Sequence, residues 1–109
     1  MPSEPTRAEV DQLTGPTVLE FGAGWCPICQ AARPLIDAAL ATRPRLRHLW
    51  IEDGKGKPLG RTFRVKLWPT LIFLRDGHEV GRVVRPTRPA ELTAALDLIH
   101  AAPDAGRVV

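Results

Sequence analysis

Cys26 and Cys29 are the only two cysteines in the 109-residue chain, and just two residues separate them. A thiolate is both a nucleophile and a metal ligand, so this spacing is where chemistry would sit. A bond between the two would close a very small loop and constrain the chain little, so the pair is not a structural staple. Redox or metal chemistry is the alternative, beside the plainer one that both cysteines merely pack, as free cysteines often do. A mononuclear structural zinc needs two more ligands. The three histidines, His48, His78 and His100, lack the paired spacing of a zinc finger and fall in predicted strands or at a helix end, so no metal is expected. Trp25 before Cys26 and Pro27 after it argue against simple packing.

If Cys26 is the N-cap of a helix and Pro27 its first residue, Pro27 loses nothing by lacking an N–H, and its fixed φ suits a helix start. The Cys26 sulfur then faces unpaired N–H groups and the positive end of the helix dipole, which favour thiolate over thiol. Cys29 follows one helical turn later, deeper and less exposed. The spacing thus produces an attacking thiol and a resolving thiol.

Elements of regular structure must hold that turn in place. Thr17-Val-Leu-Glu-Phe21 reads as a strand, and the helix after it runs to about Ala41 because Ile28, Ala31, Ala32, Leu35, Ile36, Ala39 and Leu40 recur at helical spacing. Pro34 falls inside that helix, removes one backbone hydrogen bond and should kink it. Before the strand, residues 4–13 read as a short amphipathic helix, with Ser3 as its cap, Val10 and Leu13 as its contacts and Gly15-Pro16 as its stop. Leu46–Ile51 is a second strand, the charged stretch Glu52–Lys57 a surface loop, and residues 58–64 a short helix. Leu71-Ile-Phe-Leu74 is a continuous apolar run suited to a strand buried on both faces, and Asp76-Gly77 turns it into a hairpin over 78–84. A last helix follows, with Thr87 as its cap and a stripe of Leu92, Ala95, Leu96 and Ile99. The order predicts an α/β fold, a mixed sheet of about four strands with helices on both faces. One domain fits the length, with a core over about 17–100 and a C-terminal tail at 102–109.

Phe21-Gly-Ala-Gly-Trp-Cys-Pro-Ile-Cys29 resembles the active-site segment of the thioredoxin superfamily. Pro34 matches the proline in the helix after that motif, and Trp68-Pro69-Thr-Leu-Ile-Phe-Leu74 resembles the segment with the family's cis-proline. The resemblance covers about residues 17–100 and implies the thioredoxin fold. It also implies a cis Pro69 beside Cys26, where the preceding backbone pairs with an extended substrate peptide. X-Pro bonds are the only ones that go cis cheaply, although a trans proline can also open a buried strand. Glu20 stands where thioredoxins keep a buried Asp. Buried beneath Cys29 it would have a raised pKa and take that thiol's proton; at a strand end it would simply face water. The lysine that accompanies the acid in many thioredoxins has no clear match. Pro27-Ile28 replaces the usual Gly-Pro between the cysteines, so the redox potential does not carry over. Trp68 is larger than its counterparts and either reshapes the groove or turns away from it.

The resemblance implies a thiol-disulfide oxidoreductase that reduces protein disulfides, with Cys26, Cys29 and Glu20 as its catalytic residues. Trp25, Pro27, Ile28, Trp68 and Pro69 form the docking surface. No cofactor is required, because the cysteine pair carries the two electrons. The expected partners are disulfide-containing proteins and an upstream thioredoxin reductase or similar donor, and the expected state is a monomer. A glutaredoxin-like enzyme using glutathione, and a redox-inactive interaction module, are the rival readings. The start of the chain shows no basic segment leading into an apolar stretch, so the cytoplasm is expected. No apolar run approaches the roughly 18 residues that span a bilayer. Residues 43–88 hold twelve basic and four acidic side chains of a chain whose net charge is +3. Without a basic-aromatic motif this reads as a solvated face, and neither nucleic acid nor membrane is an expected partner.

Overall fold

The computed structural model describes residues 4–100. Four strands form one sheet: β1 (Pro16–Gly22), β2 (Arg47–Glu52), β3 (Thr70–Arg75) and β4 (His78–Val84), in the order β2-β1-β3-β4. β1 pairs with β2 in parallel and with β3 antiparallel, and β3 pairs antiparallel with β4. The sheet is mixed and four-stranded, as its element order predicts.

Alternation along the central strands sends side chains to two separate cores. Val18, Leu71, Phe73 and Val83 pack with Ala32 and Ile36 of α2 (Pro27–Ala41) and with Leu92, Ala95, Leu96 and Ile99 of α4 (Pro89–His100). Leu19, Phe21, Ile72 and Leu74 pack with Val10 of α1 (Arg7–Asp11) and Leu59 of α3 (Pro58–Thr62). The apolar run at 71–74 is fully buried because each face of β3 has its own helices to cover.

Two expected caps differ. The first helix runs over Arg7–Asp11 instead of 4–13: Thr6 caps it, its hydroxyl accepting from the Glu9 N–H while Glu9 accepts from the Thr6 N–H, and Gln12 closes it. Ser3 and the tail at 102–109 lie outside the described residues. Thr87 does not cap α4. That helix begins two residues later, at Pro89, and the Glu91 carboxylate accepts the N–H groups of Thr87 and Arg88. An acidic first-turn side chain thus reaches back to the two residues that lead into the helix.

The hairpin at Asp76-Gly77 also anchors the start of β1. Both residues have positive φ, 51° and 79°, as a two-residue hairpin turn of the I′ type requires. Asp76 accepts the Gly15 N–H at 2.8 Å and returns its own N–H to the Gly15 carbonyl at 3.1 Å. A Cβ on Gly77 would press into the carbonyl of Asp11 at the end of α1. Gly77→Ala therefore meets backbone and an unfavourable φ together, and should cost about 1–3 kcal/mol. Urea unfolding measures this, and wild-type stability in the variant would show that the turn does not bear on α1.

Candidate active site

β1 ends at Gly22 and α2 begins at Pro27, with Cys26 as its N-cap. The sulfur of Cys26 accepts the Cys29 N–H at 3.2 Å, so one of the helix's unpaired donors ends on the thiol. Pro34 stands inside α2 and leaves the Gln30 carbonyl without its helical donor. Ala23, Cys26 and Cys29 form a small buried cluster, against which Trp68 packs.

The two sulfurs occupy different electrostatic positions one turn apart. Burial pushes the Cys26 thiol up, but it is outweighed. The Cys29 thiol donates to the Cys26 sulfur, the Cys29 and Ile28 N–H groups point at it, and Arg85 adds positive charge, so its pKa lies below the ordinary cysteine value. Cys29 is pushed up to about 11, first by burial, then by donating to Cys26, and further by the charges of Cys26 and Glu20. Lowering one thiol this way raises the other.

Glu20 is wholly buried in β1 and does not face water. One carboxylate oxygen is 2.7 Å from His48 Nε2 and 3.6 Å from Arg33; the other is buried with no hydrogen bond. Where the sequence shows no matching lysine, a histidine on β2 and an arginine on α2 stand beside the carboxylate. Glu20 lies opposite Trp50, and Val18 opposite His48, so the alternation of His48 and Trp50 puts both on the face of Glu20. That alternation was the available signal for His48.

Trp50 fills the space beside Gly22. A Cβ there would come within 2.8 Å of the Trp50 ring and 2.9 Å of Cys29 Sγ, so only glycine lets both approach. Arg33 lies over the Trp50 ring at 5.0 Å. A cleft lined by Ala23, Gly24, Cys29, Gln30, Arg33 and Trp50 brings the surface close to the deeper sulfur.

Trp68 does not turn away from the site. Its ring meets Trp25 edge to face, with centroids 5.6 Å apart, and its indole N–H donates to Asp53 Oδ2 at 2.8 Å. The Trp68–Pro69 peptide bond is cis. Trp25 is 71% exposed and Ile28 43%, while Pro69 is buried. Pro27 is exposed at the helix start. Sequence reasoning missed Asp53 by placing it in a surface loop. Its N–H instead donates to the Gly22 carbonyl at 2.7 Å, and Glu52 accepts the Gly24 N–H. Arg85 was also missed, since an arginine just after a strand carries no distinguishing pattern. The described residues hold no cluster of three or more His, Cys, Asp or Glu able to bind a metal.

The thioredoxin family model matches residues 3–98. Thioredoxin H-type 1 of Nicotiana tabacum is 31% identical over 86 residues, which span 79% of this chain and 67% of the tobacco protein. Among solved structures, reduced thioredoxin 2 from Pseudomonas aeruginosa PAO1 is 51% identical with a TM-score of 0.81, covering 91% of this chain and 93% of that one. Thioredoxin NaTrxh from Nicotiana alata is 30% identical with a TM-score of 0.67, covering 81% and 76%. The match runs through the sheet, the capping cysteine and the segment around Pro69, and on that ground the chain belongs to the thioredoxin family.

Proposed function

We propose that this thiol-disulfide oxidoreductase reduces protein disulfides, with Cys26 attacking and Cys29 resolving. The observation that carries the reading is the opposite displacement of the two thiols, Cys26 down and Cys29 up. The Cys26 thiolate attacks one sulfur of a substrate disulfide, forming a mixed disulfide and releasing a substrate thiolate that takes a proton from water. Cys29 then gives up its proton, and its thiolate attacks the Cys26 sulfur. The Cys26–Cys29 disulfide forms, the second substrate thiolate leaves, and two electrons have passed to the substrate. An external dithiol reductase restores the pair.

Glu20 is the base we assign to Cys29. It is close enough for its charge to act on that thiol, and one of its oxygens is buried without a hydrogen bond. His48, whose side chain is 31% exposed, connects the same carboxylate to the surface and offers an exit for the proton. Trp25, Pro27, Ile28, Trp68 and Pro69 form the surface on which the substrate lies. Both sulfurs come from one chain, so a monomer suffices. The cytoplasm, where thiols are kept reduced, suits this direction of electron flow.

Three measurements test the reading. Cys26→Ser should abolish reduction of insulin disulfides, whereas Cys29→Ser should accumulate a mixed disulfide visible by mass spectrometry; undiminished turnover in the Cys26 variant would refute the assignment. Alkylation of the reduced protein should proceed at Cys26 at pH values where an ordinary thiol is protonated, because a lowered pKa leaves more thiolate there. Cys29 should resist until the pH nears about 11. Simultaneous alkylation of both would contradict the assigned roles. In Glu20→Gln the loss of negative charge lowers the Cys29 pKa, and on electrostatics alone resolution would speed up. Loss of the base should instead slow it about 100-fold near neutral pH. The deficit should narrow as the pH rises toward the Cys29 value. Mixed-disulfide lifetimes at several pH values distinguish the two, and a shorter lifetime in the variant would remove Glu20 from the mechanism.

A further inference from the structure

Arg85 follows the last residue of β4 and has φ of +50°, a backbone conformation that glycine takes freely and arginine rarely does. It is held there from two sides. Its N–H donates to the Pro69 carbonyl at 2.9 Å, and its Nε donates to the Trp68 carbonyl at 2.9 Å. A long charged side chain is thus kept at a position whose backbone favours glycine, on the carbonyl beside which a substrate would lie.

The rest of the guanidinium is unengaged. Arg85 forms no ion pair with any described residue, and neither Nη1 nor Nη2 has an acceptor among them. On the segments bonded to or following it, Asp53 accepts from the Trp68 indole and Glu91 accepts the N–H groups of Thr87 and Arg88. A planar fork with two free donors matches a carboxylate. Its charge also reaches the attacking sulfur, so it stands close to the reaction. Beside it opens a cleft of about 470 Å³, whose walls include the apolar side chains of Ile28, Ala31, Leu35 and Pro86. Ile28 lies between the two cysteines and is 43% exposed.

From this juxtaposition we propose that Arg85 makes the protein selective for disulfides flanked by an acidic residue. The inference rests on the disulfide-reductase reading above and specifies its substrate. A chain that places a sulfur on Cys26 lays its neighbouring residues across Ile28 and Arg85. An apolar side chain enters the cleft, and a carboxylate meets the free face of the guanidinium. The contact sits at the rim, so it acts mainly on the rate of encounter and weakens with salt.

The test uses two disulfide peptides identical except for Glu or Lys beside the attacked cysteine. Second-order rate constants for their reduction by the pre-reduced protein are measured at low and high salt. The wild type should reduce the Glu peptide about fivefold faster at low salt, with the ratio falling toward one at high salt. Arg85→Gly, which suits the positive φ, should bring the ratio to one, and Arg85→Glu should invert it. Any change in Cys26 ionisation scales both peptides alike and cancels in the ratio. Equal rates in the wild type, or a preference retained in Arg85→Gly, would overturn the assignment of Arg85 while leaving the reductase reading intact. Failure to reduce either peptide would overturn both.

Discussion

The first turn of α2 has N–H groups with no carbonyl to receive them, and the Cys26 sulfur receives one. Most of the site follows from that geometric demand. The sulfur must sit at the N-cap, so the helix must start within a few residues of the end of β1, and Pro27 can open it because it has no donor to lose. The second cysteine, Cys29, lies one turn on, where its own N–H and thiol both point at Cys26. The acidity of one sulfur and the reluctance of the other are two sides of one set of hydrogen bonds.

Holding that turn against the sheet is a task for residues distant in sequence. Asp53 grips the Gly22 carbonyl with its N–H and the Trp68 indole with its carboxylate, tying the end of β1 to the segment before β3. Arg85 grips the carbonyls of Trp68 and Pro69 from beyond β4. Glu20, from within β1, is balanced by side chains of β2 and α2. β1, β2 and the segments flanking β3 and β4 therefore all contribute to the surroundings of two sulfurs that belong to one helical turn.

What the sequence made legible was whatever depends on near neighbours. The Cys-Pro-Ile-Cys spacing, the apolar run at 71–74, the Asp76-Gly77 turn and the stripe on α4 each encode their structure within about a dozen residues, and each is found as read. The partners of Glu20 were legible only in the alternation of His48 with Trp50, because pairing that strand with β1 depends on register and Arg33 reaches Glu20 through helix packing. Asp53 was hidden by the charged and glycine-containing stretch around it, in which an inward-facing carboxylate looks like its solvated neighbours. Thr87 was mistaken for a cap because a threonine before a helix is a common signal, while the competing Glu91 lies inside the helix.

The chain has three tryptophans and no tyrosine. Trp25 and Trp68 meet edge to face, Trp68 packs on the cluster of Ala23, Cys26 and Cys29, and Trp50 lines the cleft at Cys29. All of the protein's indole fluorescence therefore originates around the cysteine pair, with the Trp68 ring packed on the cluster that holds both sulfurs. Intrinsic emission is thus an unlabelled optical gauge of the state of those sulfurs. In an unfolding experiment the same signal would follow the loosening of the site together with that of β2, the strand to which Trp50 belongs.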